Sequence, residues 1–158
     1  MWLSYAVVAG ALVAVGAVGG KATDIGPWYR GLKKPSWNPP DWVFPVVWTT
    51  IYLFIIYAVG SVWNAADVAQ KTTVLWVVTI NFVLNLIWSV LFFTLRNPKL
   101  ALYEVALLWV SIAAMIVVFM QIKALSALAL LPYLIWVSIA AVLNLSIVRL
   151  NPDETAQI

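Results

Sequence analysis

Three groups of residues in this 158-residue chain have types and spacing that chemistry can use. Asn81 and Asn85 stand four residues apart, with Trp88 and Phe92 continuing the same helical face. Phe44, Trp48, Tyr52 and Ile55 make a second stripe, and Tyr133, Trp136, Ala140 and Asn144 a third, with Pro132 loosening the helix just before it. Each stripe joins aromatic rings to small or amide side chains. Rings stack on flat apolar partners, and amides both donate and accept hydrogen bonds. That chemistry holds a molecule. It offers little with which to transform one.

Acid–base and nucleophilic catalysis lack material. The chain contains no histidine and no cysteine, which excludes disulfides, zinc sites, Cys or Ser–His nucleophiles and a His- or Cys-ligated haem. Glu104 is the one carboxylate near the interior of a long apolar segment, and pairing with Lys99 or Arg96, or a place near a helix N-terminus, is favoured for it over a role as catalytic acid. No phosphate loop or metal-ligand cluster is present. Ordinary enzyme activity is not expected, and no cofactor is required.

The elements that must position these residues follow from the charges. Apolar residues make up 65% of the chain and charged ones 9%, against roughly 25% charged in soluble proteins. With a mean hydropathy of +0.99, the chain must face lipid. Its fifteen charged residues leave charge-free stretches at 1–20, 42–66, 72–95, 105–122 and 124–148. A helix needs about 20 residues to cross a ~30 Å hydrocarbon core, so the pattern predicts an all-α, five-transmembrane-helix bundle. A β-barrel would alternate apolar and polar residues, and Val74–Ile80 does not. The first stretch lacks the positive start of a signal peptide and is expected to be a retained helix. Its Ala6, Gly10 and Ala14, then Gly16 and Gly20, allow close helix approach, either within the bundle or at a homodimer face.

Five spans place Lys21, Arg30, Lys33, Lys34, Arg96, Lys99 and Arg149 on one side and only Lys71 and Lys123 on the other. By the positive-inside rule the first loop and the C-terminus are expected in the cytoplasm. Topology therefore accounts for the net charge of +3 without a nucleic-acid partner. The first loop, 21–40, holds Pro27, Pro35, Pro39 and Pro40 among Trp28, Tyr29 and Trp37. A flexible linker would be rich in Gly and Ser, so an ordered cap is expected, with Asn38 capping the next helix and Asp41 near its positive end. A brief polar tail is expected over 149–158.

An aromatic stripe at helical spacing usually serves core packing or an interfacial belt. Trp2, Trp63 and Trp76 lie near span ends and fit the belt. Trp48, Trp88 and Trp136 share faces with polar groups, and core packing and pocket lining both fit that placement. For the asparagines, bonding between helices and contact with a ligand are likewise both open; one division has Asn81 lining a cavity and Asn85, a turn deeper, joining helices.

The run Trp28-Tyr29-x-x-Leu32-x-Lys34-Pro35-x-Trp37-x-Pro39-Pro40, continued by Phe44, Trp48 and Tyr52, resembles the signature of the tryptophan-rich sensory protein/translocator protein family (TspO/MBR, the peripheral-type benzodiazepine receptor). Two further blocks agree, Asn81-x-x-x-Asn85-x-x-Trp88-x-x-x-Phe92-Phe93 and Pro132-Tyr133-x-x-Trp136-x-x-x-Ala140-x-x-Leu143-Asn144. The resemblance covers the whole chain as a single membrane domain, with helices at about 2–20, 41–64, 72–95, 100–122 and 126–149. It implies a homodimeric five-helix membrane receptor or sensor, with a ligand cavity closed by the first loop. The implied ligands are tetrapyrroles such as protoporphyrin IX, sterols in some members, and benzodiazepine-site compounds. The implied cavity residues are Tyr29, Trp37, Pro39, Phe44, Trp48, Tyr52, Asn81, Trp88, Trp136, Ala140 and Leu143. Alternatives of other classes are light- and oxygen-dependent porphyrin breakdown by the cavity tryptophans, and a carrier or purely structural role. The proposed sterol motif needs a tyrosine near the end of the last span, where this chain reads Leu143-Asn144-Leu145-Ser146-Ile147-Val148-Arg149. A tetrapyrrole is favoured over a sterol. Arg30, Lys33 or Lys34 would meet its carboxylates near the loop.

Overall fold

The computed structural model of the chain describes residues 2–152, and its regular elements are all helices. They are α1 (Trp2–Ala22), α2 (Pro27–Gly31), α3 (Val43–Ala65), α4 (Val68–Ser89, extended by a π turn at Val90–Thr94), α5 (Pro98–Met120), α6 (Ala124–Leu128) and α7 (Leu131–Leu150). α1, α3, α4 with its π turn, α5, and α6 with α7 are each long and apolar enough to cross a membrane, as the charge-free stretches predict. The polar tail expected from Arg149 begins inside α7, and its residues beyond 152 lie outside those described.

The helix ends differ from the expected ones for local reasons. α4 starts at Val68, not 72, because Asp67 and Gln70 form a capping box in which each side chain bonds the other's backbone N–H. Lys71 is therefore helical, and charge counting cut the helix short. At the other end of α4 the ladder loosens into the π turn, where the Leu95 N–H donates to the Val90 carbonyl at 2.8 Å. Arg96 then adopts a positive φ of 51°, a left-handed conformation that stops a helix. Asn97 caps α5 by accepting from the Leu100 N–H at 2.9 Å. The last span breaks outright between α6 and α7, just before Pro132. Asn38 does not cap α3: the helix begins five residues later, and the Asn38 amide donates to the Pro39 carbonyl instead.

Ile51, Ile55, Ile112, Met115, Phe119 and Tyr133 fill the middle of the bundle. In lipid, packing and interhelical hydrogen bonds hold helices together, because the solvent itself is apolar. Those bonds come from the few polar residues inside the spans. Asn144, 1% exposed, donates to the Pro98 carbonyl at 2.8 Å and accepts from the Trp88 indole at 3.4 Å, joining α7 to α5 and α4. On α1, Gly16 makes room for the Tyr52 ring, which would lie 3.1 Å from an added Cβ. Ala6, Gly10 and Ala14 face outward, and nothing lies within 4 Å of a Cβ added at Gly10.

The basic residues segregate as expected. The 23–42 connection, the α4–α5 turn and the end of α7 meet at one end, where Arg96 pairs with Asp24 at 4.0 Å and Thr94 donates to the Ala22 carbonyl. Asn151 clasps the backbone of Lys33 from both sides, accepting from its N–H and donating to its carbonyl, each at 2.9 Å. Asn151→Ala should release this clasp, at a local cost of about 1–3 kcal/mol. Amide hydrogen exchange over residues 31–38 should rise while the spans stay protected; an unchanged loop would show that its aromatic contacts suffice.

Candidate functional site

A cavity of about 420 Å³ lies inside the bundle at the end where the first loop sits. Small-molecule pockets usually measure about 300–1,000 Å³, largely apolar with a few polar groups. α3 supplies Phe44, Trp48 and Tyr52 from successive turns; α4 and its π turn supply Asn85, Trp88 and Phe93; α7 supplies Trp136 and Ala140. Gly16, Gly19 and Gly20 of α1 close one side, and Thr23, Ile25, Tyr29 and Asp41 close the end.

The rings brace one another. Phe44 meets Trp136 edge-on at 5.7 Å between centroids, and Trp48 meets Tyr52 at 5.8 Å and Tyr133 at 6.1 Å. Trp88 stacks on Phe92 at 5.3 Å and 27°. The π turn lets two adjacent residues point inward: Phe92 is buried under Trp28 and Tyr29, while Phe93 reaches the cavity wall. One extra residue in a turn re-aims side chains in this way.

Of the eleven expected cavity residues, Tyr29, Phe44, Trp48, Tyr52, Trp88, Trp136 and Ala140 line the cavity. Trp37, Pro39, Asn81 and Leu143 do not. Trp37 is 46% exposed on the loop. Leu143 packs in a separate buried cluster with Tyr29, Leu32, Phe92, Ala101 and Ile147. Asn81 is fully buried and donates to Ser111 Oγ at 2.8 Å while accepting from the Tyr133 hydroxyl at 3.3 Å. It is the asparagine that joins α4 to α5 and α7. Asn85 is the one on the cavity wall, and it donates to the Tyr133 hydroxyl at 3.1 Å. Of the division considered from sequence, Asn81 is therefore not on the cavity wall, while Asn85 does join α4 to α7 and lines the cavity as well.

The electrostatics also differ from expectation. Arg30, Lys33 and Lys34 do not line the cavity, and the charged residue that does is Asp41. Lys34 is spent on the loop itself: its ammonium donates to the Tyr29 carbonyl at 2.5 Å and lies 4.2 Å from the Tyr29 ring centroid. Burial pushes the Lys34 pKa down, with nearby Asp41 opposing that shift. Burial, then Asp41, raises the Tyr29 phenol, which stays protonated at neutral pH. Arg30 is folded back onto the Ile25 carbonyl. Glu104 pairs with neither Lys99 nor Arg96; it is 6% exposed, and neither carboxyl oxygen has a hydrogen-bond partner among the described residues.

Sequence reasoning missed Phe93, Asp41 and the α1 glycines as wall residues. The glycine spacing was visible, but nothing in it says that α1 leans on this end of the bundle.

Fold and site together define a multi-pass membrane protein with an aromatic-walled cavity between its helices. The TspO/MBR family model matches residues 6–150. The chain is 38% identical over 156 residues to tryptophan-rich protein TspO of Chlorobaculum tepidum, covering 95% of this chain and 97% of that one. It is 40% identical over 132 residues to protein CrtK of Rhodobacter capsulatus (82% and 81%) and 37% identical over 126 residues to the human translocator protein (78% and 75%). The chain belongs to the TspO/MBR family.

Proposed function

We propose that the protein is a membrane receptor or sensor that takes a planar tetrapyrrole, protoporphyrin IX or a close analogue, into this cavity. The observation that carries the reading is the convergence of Trp48, Trp88 and Trp136, from three different helices, on one intramembrane space. Each ring stacked on a flat ligand contributes about 0.5–1.5 kcal/mol beyond burial. Tyr29 at the closed end and Asn85 on the α4 side supply polar contacts. Asp41 repels an anionic edge, so the carboxylates of a bound ring are directed away from it. With no histidine or cysteine in the chain, the metal-free ring should bind at least as well as haem. Relatives named for sensing and translocation support the receptor reading.

In the same reading the first loop is cytoplasmic, as seven basic residues against two require. The dimer is assigned to the outward Ala6, Gly10 and Ala14 of α1, where helices can approach closely. Titration of the purified protein with protoporphyrin IX should saturate at one site per chain and quench tryptophan emission. Absence of saturable quenching would overturn the ligand assignment. Keeping the complex illuminated in air separates binding from breakdown: a receptor returns the ring intact.

A further inference from the structure

A second concavity lies away from the tetrapyrrole cavity, at the opposite end of the bundle. It is a groove of about 480 Å³ between α1, α3 and α4, floored by Val59, Val74 and Val78 and walled by Val7, Ala11 and Phe82. None of its lining residues is shared with the first cavity. The groove is apolar along its length apart from Thr79 and polar at its mouth, where Ser4 Oγ donates to Asn64 Oδ1 at 3.0 Å and Trp63 stands beside them.

Lys71 marks that mouth. It sits one helical turn before Val74 and Leu75, which line the groove, so it lies on the same face of α4. Its ammonium is 5.9 Å from the centroid of the Trp63 ring. Among the described residues no carboxylate oxygen lies within ion-pair distance of it: Asp67, one turn before it, accepts from the Gln70 N–H, and the ion pair, Arg96 with Asp24, is at the other end. Lys123, the other basic residue at this end, donates to Ser61 Oγ at 2.6 Å. An apolar slot capped by a tryptophan, two small polar groups and a cation outside any ion pair among the described residues complements a chain with an anionic head.

We propose that this groove is a lipid site, holding one acyl chain of an anionic phospholipid whose phosphate pairs with Lys71. The charge selects the headgroup, and the slot between α1 and α4 selects the chain. The site does not depend on the tetrapyrrole reading, because no residue serves both.

Native mass spectrometry of the protein released from nanodiscs of equimolar phosphatidylglycerol and phosphatidylcholine tests it. One basic residue at an anionic headgroup is worth about a fivefold preference. Wild type should retain phosphatidylglycerol over phosphatidylcholine by about that factor. Lys71→Gln should abolish the preference, Lys71→Arg should keep it, and Lys99→Gln, at the other end, should leave it intact. Ala11→Trp, which fills the slot from the exposed face of α1, should lose the retained lipid with its charges unchanged. A preference that survives Lys71→Gln, or lipid that survives Ala11→Trp, overturns the proposal. So does a wild type that retains no lipid and whose dimer dissociates on Ala11→Trp, since the groove would then be a contact between copies.

Discussion

Trp48→Ala and Trp136→Ala should each weaken protoporphyrin IX binding about 30-fold while leaving the helix bundle intact. Both indoles are half-buried and face the cavity, so part of each ring is available to a ligand. Removing one forfeits apolar burial at ~25 cal/mol per Å² and its stacking on the tetrapyrrole, a net of about 2 kcal/mol. Trp2, 82% exposed at the start of α1, is the control, and Trp2→Ala should alter affinity less than twofold. Tryptophan quenching titrations in detergent, with thermal unfolding of each variant beside them, read both quantities. Trp48 also touches Tyr52 and Tyr133, so some loss of melting temperature is expected there. Equal affinity losses at all three positions would mean that tryptophans act through the fold, and the pocket assignment would fail.

Asn81→Leu should destabilise the protein even without ligand, and Asn85→Leu should chiefly lower ligand affinity. Asn81 is fully buried and bonds two other helices through Ser111 and Tyr133. Its replacement leaves the Tyr133 hydroxyl without that acceptor, and hydrogen bonds of this kind in membranes carry about 0.6–2 kcal/mol each. Ser111 keeps a partner, since its hydroxyl donates to the Leu108 carbonyl at 2.7 Å. The loss should therefore fall short of two full bonds. Asn85 stands on the cavity wall, and its amide faces the space a ligand would fill beside its bond to Tyr133. Melting temperature should drop more for Asn81→Leu, and porphyrin affinity more for Asn85→Leu. The opposite pattern would mean that Asn81 serves the ligand and Asn85 the fold.

The basic loop residues are a caution for mutagenesis. Lys33 and Lys34 look interchangeable as a cationic pair, yet Lys34 holds the Tyr29 and Leu32 carbonyls and caps the Tyr29 ring. Neutralising it would disturb the loop as well as remove a charge. Lys33 is exposed, and Lys33→Gln alone is the cleaner probe of electrostatic steering, which fades over a Debye length of ~8 Å at physiological salt.

The amino-acid sequence by itself determined the five spans and the segregation of basic residues to one end. Both depend on one-dimensional quantities: a charge in hydrocarbon is costly, and a span has a required length. Helical spacing put Phe44, Trp48 and Tyr52 on one face and Trp136 and Ala140 on another, whereas a cavity for them, Trp88 and Tyr29 to line was what the family resemblance implied. Only the tertiary structure decided which polar group faces a neighbouring helix and which faces the cavity. Asn81 and Asn85 are a turn apart on one face, and nothing local distinguishes them; the difference is that Ser111 of α5 arrives beside the first. Trp37, Pro39 and Leu143 shared motifs with true wall residues, but the turns of the loop and the contact of α7 with α5 carry them away from the cavity. Phe93 reaches the wall through a π turn that no helical period of 3.6 anticipates. The second groove was equally invisible, since a gap between three helices is set by how they lean on one another.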